Sequence, residues 1–277
     1  SVMASMNVNK KTVSRWGIFK LNKKLNKKFK LIYANKMNGF DISKSKNFNK
    51  INKKKIDIII NLSGQIKKSK KEMYNTIVKG NQNIIDFVQV NKKITLVYFI
   101  SSSLVYGFSK NLKRESSNIN PILQYAKYKA MAEKIYFKSN IDYKIIRLCS
   151  VYSLKNENII KKLIHSILEK KKINITNVEA SRNYIHLNDL VEIIYKLLSK
   201  KINKKIYNIG HENLKIINIM KKIEKISQKK FTYYNQNINL KKLSSQKINV
   251  SRIFKEINFK PKMKINHFIK NQFVNES

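Results

Sequence analysis

The middle of the chain carries, in order, three residue types that can move a proton at a hydroxyl-bearing carbon. A run of three serines, 101–103, ends an apolar stretch, and Tyr125 and Lys129 follow, four residues apart. A tyrosine hydroxyl is a poor base near neutral pH because its ordinary pKa is about 10, but a nearby lysine ammonium favours the phenolate. A serine hydroxyl can hold the substrate oxygen while the tyrosine takes or returns the proton. These residues predict proton transfer at a carbinol, coupled to hydride transfer to a nicotinamide.

The elements that must position these residues can be identified from the apolar pattern. Residues 94–100 form a short run rich in β-branched and aromatic side chains, which predicts a buried strand. The serines then lie at the carboxyl end of that strand, where open α/β sheets bind their ligands. Pro121 is expected to open a helix on which Tyr125 and Lys129 share one face. Residues 143–148 predict a second buried strand.

The spacing of Tyr125 and Lys129 is not specific by itself, because the chain has 59 lysines and arginines and 14 tyrosines. Tyr106 and Lys110 have the same spacing. Taken alone, the pair is better explained as ordinary residues of a helix surface, which is the false-positive risk of a short motif. Only Tyr125 and Lys129, however, lie on a helical pattern downstream of a strand that ends in serines.

The segments around these residues carry a longer pattern. SSSLVYG, YAKYKAMAEK and RLCSVYS occur in this order, and together they resemble the extended short-chain dehydrogenase/reductase family. Within that family they resemble the NAD-dependent epimerase/dehydratase group that acts on nucleotide sugars, from Phe29 to the C-terminus. The resemblance implies an α/β fold with a Rossmann-type, doubly wound parallel sheet and a smaller C-terminal α/β lobe for the substrate. We place the cofactor-binding domain at 1–150 and the interleaved substrate lobe at 151–277.

The resemblance implies a role for each residue of the first motif. Tyr125 corresponds to the catalytic base and acid, and Lys129 to the residue that lowers its pKa and binds the nicotinamide ribose. Ser102 corresponds to the hydroxyl that polarises the substrate oxygen, with Ser103 beside it in the substrate site. Members that dehydrate the sugar usually have an Asp-Glu pair where this chain has Ser103 and Leu104. The resemblance therefore favours an epimerase or a ketoreductase over a 4,6-dehydratase.

The N-terminal segment departs from the family. The family has a glycine-rich turn there, which lets the main chain approach the pyrophosphate. The best alignment places Lys11, Ser14 and Gly17 at the three glycine positions. Of these three positions only Gly17 keeps the glycine. Either Ser14 and a helix N-terminus still bind the phosphates, with Lys11 and Arg15 adding positive charge, or dinucleotide binding is weakened or lost. We favour retained binding because the catalytic residues downstream are intact.

Further positions are expected near the cofactor. Asp41 lies in a segment that resembles the family's short third strand, whose aspartate meets the adenine. Leu62, Ser63 and Gly64 follow a buried strand pattern and would pass close to the cofactor, where glycine permits close approach. Lys36 stands where many NAD-binding members have an acidic residue. We expect NAD, with NADP as the alternative if Lys36 meets a 2′-phosphate instead of being one more surface lysine.

The C-terminal half supplies the expected substrate contacts. Arg182, in the segment SRNYIHLNDL, corresponds to the residue that binds the substrate diphosphate, since a guanidinium matches paired phosphate oxygens. Ser150 replaces an asparagine that is common in the family, so that substrate contact is altered. His186 lies in a strand-like segment without a cysteine or carboxylate partner at metal spacing, so we predict a core histidine and no metal.

Composition limits the partners. The net charge of +43 admits nucleic acid or an anionic membrane, but the lysines are spread over predicted helix faces, as drift toward A/T-rich codons would produce. We therefore favour compositional bias, with no specific nucleic-acid partner. No apolar run approaches the roughly 18 residues of a membrane span. The single cysteine, Cys149, excludes an internal disulfide and fits a reducing, cytoplasmic location.

Three hypotheses follow for the function. The first is an NAD(P)-dependent nucleotide-sugar epimerase of sugar-nucleotide or surface-polysaccharide biosynthesis. The second is an NADPH-dependent nucleotide-sugar ketoreductase. The third is a non-catalytic binding or scaffold protein that kept the fold and lost its phosphate loop. The resemblance also implies a homodimer through helices that include the one carrying Tyr125.

Overall fold

Two compact units make up the chain. The computed structural model describes residues 2–6, 29–52, 54–64, 68–155, 157–235 and 245–273. The first unit draws on residues 1–107, 118–148 and 203–207, and the second on residues 108–117, 149–202 and 208–277. The predictions for Ser14 and Gly17 fall outside the described residues, and the domain boundary at residue 150 stays a prediction.

The first unit is built on a six-stranded sheet with the order β2-β1-β3-β4-β6-β10. Its strands are β1 Val2–Met6, β2 Leu31–Asn35, β3 Ile58–Asn61, β4 Leu96–Ser102, β6 Tyr143–Leu148 and β10 Ile206–Ile209. Neighbours from β2 to β6 pair in parallel, with Ile59 opposite Val97 and Phe99 opposite Ile145. The order turns back between β1 and β3, as in a doubly wound sheet. This confirms the predicted Rossmann-type α/β fold.

Helices and short turns connect these strands. The helices are α1 Asn49–Asn52, α2 Lys70–Tyr74, α3 Gly80–Val90 and α4 Gln124–Phe137, and 3-10 turns cover Lys36–Asn38, Ser45–Phe48 and Ser103–Tyr106. Ser69 and Glu72 form a reciprocal capping box that starts α2. A π-helical turn, Asn75–Lys79, joins α2 to α3 without a break.

The centre of the sheet is apolar on both faces. Ile59 and Ile60 on β3 and Val97 and Phe99 on β4 are at most 1% exposed. Successive residues of a strand point to opposite faces, so a continuous apolar run requires cover on both sides. That is why these two strands take the middle of a parallel sheet and fix where their carboxyl ends lie.

Two predicted elements differ from the structure. The sequence predicts a short third strand around Asp41, but a turn lies there, since Ser43 donates main-chain and side-chain hydrogen bonds to Asp41 Oδ1 at 3.0 and 2.7 Å. A short acidic side chain that bonds to its own main chain favours a turn over a strand. The helix expected to open at Pro121 begins at Gln124, after an extended Leu123.

The second unit combines small sheets with five helices among its described residues. Its strands are β5 Ser109–Lys113, β7 Ser150–Tyr152, β8 Ile173–Ile175, β9 Ser181–His186, β11 Glu212–Lys215, β12 Tyr233–Asn235 and β13 Gln246–Ile248. They form the groups β11-β9-β7, β12-β8 and β13-β5. Its helices are α5 Ile159–Leu168, α6 Leu187–Ser199, α7 Ile216–Ser227, α8 Ser251–Ile257 and α9 Ile265–Phe273. In the part of the chain that the structure describes, no helix has the length and apolarity to cross a membrane.

Candidate active site

The serine run spans the carboxyl end of β4: Ser101 and Ser102 are its last residues, and Ser103 begins the 3-10 turn that follows. Ser102 Oγ accepts a hydrogen bond from the main-chain N–H of Leu104 at 3.2 Å and so caps the 3-10 turn. Gly107 ends the turn with φ +70°, and a Cβ there would collide with the main-chain oxygen of Asn120. Glycine is therefore required at this position, and the turn holds Ser102 and Ser103 at the strand end.

Tyr125 and Lys129 lie on the first two turns of α4. Lys129 is 2% exposed, and its ammonium donates to the main-chain oxygens of Ser63 and Ile100 at 2.9 and 2.7 Å. It therefore bridges the carboxyl ends of β3 and β4. The structure thus places Lys129 at the carboxyl ends of the strands, where a doubly wound fold binds its ligand, with Tyr125 one helical turn away.

Gly64 closes tightly on Lys129. Its φ is +120°, and a Cβ there would lie 3.1 Å from the ammonium nitrogen and 3.1 Å from a side-chain carbon of Ile77. A side chain at this position is strained by the backbone and crowded by both neighbours. The sequence predicts that the backbone at Gly64 comes close to the cofactor; in the structure the neighbour that it comes close to is the Lys129 side chain.

The loop that carries Ser63 is fixed by buried amides. Asn61 Oδ1 accepts from the Ser63 N–H at 3.0 Å, and Asn61 Nδ2 donates to Asn81 Oδ1 at 2.7 Å. Asn81 Nδ2 donates to the main-chain oxygen of Ile77, in the π-helical turn, at 2.6 Å. The Ser63 hydroxyl itself is buried and has no hydrogen-bond partner within the described residues. A rigid loop with one unsatisfied hydroxyl beside Lys129 suits a polar ligand, which fits a nicotinamide dinucleotide.

Burial controls the ionisation of both residues. Burial lowers the pKa of Lys129 to about 7, while the negative charge of Glu133 opposes that shift. Burial also raises the pKa of Tyr125, opposite to the direction expected from a neighbouring ammonium. The reason is that Tyr125 is desolvated while the ammonium is directed at two main-chain oxygens, its nitrogen 5.7 Å from the centre of the tyrosine ring. Tyr125 is therefore a phenol at neutral pH in this state of the chain.

Sequence reasoning missed a charged pair in the same unit. Glu133 is fully buried, and Arg147 on β6 is 3% exposed; their side chains form an ion pair at 2.7 Å. The signal was present, because Glu133 is one of only 16 acidic residues and lies four positions after Lys129, on the same helix face.

Asp41 has its carboxylate engaged by its own turn. Beside the two bonds from Ser43, the Lys36 ammonium lies 3.1 Å from Asp41 Oδ2. Lys36, at the end of β2, is thus paired with Asp41 and is not an isolated surface lysine. The sequence predicts that Asp41 contacts the adenine and Lys36 a 2′-phosphate. Each contact would have to be made by a side chain that is engaged in this ion pair.

Arg182 lies on β9 in the second unit, two residues before Tyr184. The guanidinium carbon lies 5.1 Å from the centre of the Phe108 ring, and Nη1 donates to the main-chain oxygen of Ser181 at 2.9 Å. Burial lowers its pKa, and across the described ranges no carboxylate lies within ion-pair distance of it. Tyr184 shares its strand face and has a buried hydroxyl with no partner in the same ranges. A partly desolvated cation and an unsatisfied hydroxyl on one strand face would both be stabilised by an anion.

The remaining predicted residues of the second unit have simpler surroundings. Ser150, on β7, is exposed and pairs in register with Tyr184. His186 is buried between the rings of Tyr152 and Phe268, and its Nδ1 accepts from the Asn188 N–H at 3.2 Å. That contact caps α6, as a core histidine would.

Comparison with known proteins gives relatives of several activities. Among curated proteins, the chain is similar to the dTDP-D-glucose 4,6-dehydratase of Dictyostelium discoideum, with 31% identity over 201 residues, 63% of this chain and 46% of that protein. The chain thus spans about half the length of that relative. Among solved structures, the UDP-glucose 4-epimerase of Thermotoga maritima superposes with a TM-score of 0.81 at 13% identity, over 100% of this chain and 99% of that one. The L-threonine dehydrogenase of Phytophthora infestans gives 0.82 at 15% identity, with the same coverage.

These likenesses show the fold and leave the substrate open, because equally similar structures act on a nucleotide sugar and on an amino acid. The family is shown by a different match. The model of the NAD dependent epimerase/dehydratase family matches residues 8–210, and its description names NAD, in agreement with the predicted cofactor. The chain therefore belongs to the NAD dependent epimerase/dehydratase family, as its serine, tyrosine and lysine motifs predicted.

Proposed function

We propose that the chain is a nucleotide-sugar epimerase that oxidises and re-reduces one ring carbon with a bound NAD. The observation that carries the proposal is the placement of Lys129, which is buried and fixed by Ser63 and Ile100 one helical turn from Tyr125, at the edge of the sheet that also presents Ser102. A protein that only binds has no physical need for this combination.

Several residues would hold the dinucleotide. Ser63, Gly64 and Lys129 would line the nicotinamide end, with Asp41 at the adenine and Ser14 and Gly17 at the phosphates. When bound, NAD supplies an acceptor for hydride that can return it to the same carbon. Ser63 contributes the unsatisfied hydroxyl and Gly64 the close backbone approach.

The chain's own residues handle the proton. Tyr125 takes the proton of the sugar hydroxyl during oxidation and returns one during reduction, which is general base and general acid catalysis by one group. A charged Lys129 favours the phenolate while it holds the ribose. Ser102 Oγ already accepts from Leu104, so its O–H remains as a donor to the substrate oxygen. Ser103 lies beside it in the substrate site.

The substrate's diphosphate would be bound by Arg182, with Tyr184 as a second donor. The half-buried Arg182 has no carboxylate partner within the described residues, and the buried Tyr184 hydroxyl has no hydrogen-bond partner there, so one anion could bind both. Ser150 is assigned to the sugar, where the family more often has an asparagine. The dimer through α4 and the cytoplasmic location are part of this proposal.

A ketoreductase is the second candidate, and Lys36 supports it. Lys36 directly follows β2, a position where a positive charge suits the 2′-phosphate of NADPH. A reductase consumes NADPH in proportion to product, whereas an epimerase has no net consumption. Measuring both quantities in one reaction separates the two functions.

The test of the proposal is Tyr125→Phe, assayed for turnover on a panel of nucleotide hexoses. Since general acid–base catalysis by a positioned group contributes about 10²–10⁴-fold, we expect a loss of kcat of that size. Tyr128→Phe is the matched control, because Tyr128 lies on the same helix and packs against Tyr74. Full activity of Tyr125→Phe would refute the assignment.

A further inference from the structure

A buried carboxylate lies one helical turn beyond Lys129 in the first unit. Arg147 reaches both oxygens of Glu133, with Nη2 2.7 Å from Oε2 and Nε 3.1 Å from Oε1. Ser101 Oγ donates to Oε1 at 2.6 Å. The carboxylate is therefore held in one orientation by residues from β6 and β4.

The arginine is itself fixed from its other side. Arg147 Nη1 donates to the Tyr106 hydroxyl at 2.9 Å, and its guanidinium carbon lies 4.8 Å from the centre of the Tyr106 ring. A buried ion pair is weak evidence for stability, because well-packed apolar residues often serve as well. The presence of a fully paired, buried Glu133 next to the candidate active site therefore points to a role beyond folding.

The surroundings of Lys129 indicate what that role is. The groups that face Lys129 or border its site are Tyr125 and Glu133 from α4, Phe99 and the Ile100 oxygen from β4, the Ser63 oxygen from the loop after β3, and Arg147 from β6. Among them Glu133 carries the one full negative charge. The ammonium nitrogen lies 4.8 Å from the Phe99 ring centre, and in this dry setting its charge is costly without a compensating anion.

We propose that Glu133 is a positioning residue that keeps Lys129 charged: held by Arg147 and Ser101, its carboxylate stabilises the ammonium at the carboxyl end of the sheet. Both carboxylate oxygens are already bonded, so the effect on Lys129 is exerted through the electrostatic field along one helical turn. The role of a charged Lys129 in proton transfer by Tyr125 rests on the proposed function. The effect of Glu133 on the ionisation of Lys129 does not, and it can be measured without a substrate.

The experiment follows the ionisation of Lys129 by NMR in the full chain labelled with 13C at the lysine side chains. Exposed lysines titrate near pH 10, so the Lys129 signal is identified as the one that moves near neutral pH and is missing in Lys129→Arg. Glu133→Gln should lower the midpoint of that signal by about two pH units, the size expected for one charge about 6 Å away, one helical turn, at an effective dielectric constant of about 20. Glu133→Asp, which keeps the charge, should restore a midpoint close to that of the original chain.

Two further variants keep the result interpretable. Tyr136→Phe removes a buried hydroxyl from the same helix without a change in charge and should leave the midpoint in place. If Glu133→Gln alone does not fold, the double variant Glu133→Gln with Arg147→Met takes its place. It removes both charges, leaves no unpaired buried ion and should also lower the midpoint. Equal midpoints in the original chain, the Glu133→Gln chain and the double variant would overturn the proposal. A shifted midpoint in a chain that turns over no nucleotide sugar would leave it standing and remove the proposed function instead.

Discussion

At the scale of single residues, Lys129 determines what the site can do. Its ammonium donates to the main-chain oxygens of Ser63 and Ile100, Gly64 leaves it just enough room, and its surroundings exclude water. Each of these contacts fixes its position, and burial brings its ionisation close to neutral pH. The chemistry of Tyr125 therefore depends on whether Lys129 stays charged near neutral pH.

Stability should rise with pH because of this lysine. Burial lowers the pKa of Lys129 from 10.5 to about 7, so between these values the unfolded chain binds more protons than the folded chain, and raising the pH favours folding. We expect the free energy of unfolding, measured with urea, to increase from pH 7 toward pH 9 more steeply in the original chain than in Lys129→Met. The comparison cancels the titration of other groups. Parallel pH dependences would contradict the burial of a titrating Lys129.

Gly64→Ala should damage the site more than a similar change elsewhere. Both Gly64 and Gly39 have positive φ, +120° and +72°, so each alanine variant carries a backbone strain of about 1–3 kcal/mol. Only the Cβ at Gly64 meets Lys129 and Ile77; at Gly39 it meets the flexible end of Lys50. We expect both variants to lose stability and only Gly64→Ala to lose affinity for NAD, measured by calorimetry. Equal affinities would show that Lys129 moves aside freely.

At the scale of elements, β3, β4 and α4 place the reactive groups, and the π-helical turn supports them. In this turn the main-chain oxygen of Ile77 accepts a hydrogen bond from Asn81 Nδ2, and Asn81 Oδ1 accepts from Asn61 and Tyr136. One buried amide thus joins β3, α3 and α4. The loop that carries Ser63 and Gly64 is held by these bonds, because Asn61, which accepts from the Ser63 N–H, is itself bonded to Asn81.

Asn81→Ala should therefore cost more stability than Asn83→Ala. Loss of the Asn81 amide leaves three buried polar groups without their partner, at about 1–3 kcal/mol for each. Asn83 is half-buried, and its side chain donates one hydrogen bond, from Nδ2 to the main-chain oxygen of Ile42 at 2.9 Å, so we expect the smaller loss there. Urea unfolding of both variants provides the comparison, and similar losses would mean that water replaces the Asn81 bonds.

The elements also show how far the sequence could be interpreted. The buried strand at 143–148 and the helix of Tyr125 and Lys129 could be predicted, because apolar runs and shared helix faces are local signals. The turn at Asp41 could not, since the bonds from Ser43 and Lys36 compete with a strand that the family pattern favoured. Glu133 lies on α4 and Arg147 on β6, 14 positions later. They meet because α4 packs against the sheet in which β4 pairs with β6, so their contact depends on the tertiary fold.

At the scale of the whole molecule, the net charge of +43 should act on any anionic ligand. A strongly positive surface raises the rate of encounter with dinucleotides and nucleotide sugars, and salt screens it within a Debye length of about 10 Å at 0.1 M. We expect the association rate of NAD, followed by stopped-flow fluorescence, to fall as sodium chloride is raised from low to physiological levels. An association rate that does not change with salt would show that the positive charge reflects amino-acid composition and does not steer the ligand.

The most direct test of the account is the identity of the dinucleotide that the chain holds. The purified protein is denatured, and any released dinucleotide is identified by chromatography; the stripped protein is then titrated with NAD and NADP. An epimerase has to keep its cofactor through oxidation and reduction of the same carbon, so the account predicts tightly held NAD. Exchangeable NADPH would favour the ketoreductase. Binding of neither dinucleotide would contradict the account and leave a scaffold that kept Ser102, Tyr125 and Lys129 without their cofactor.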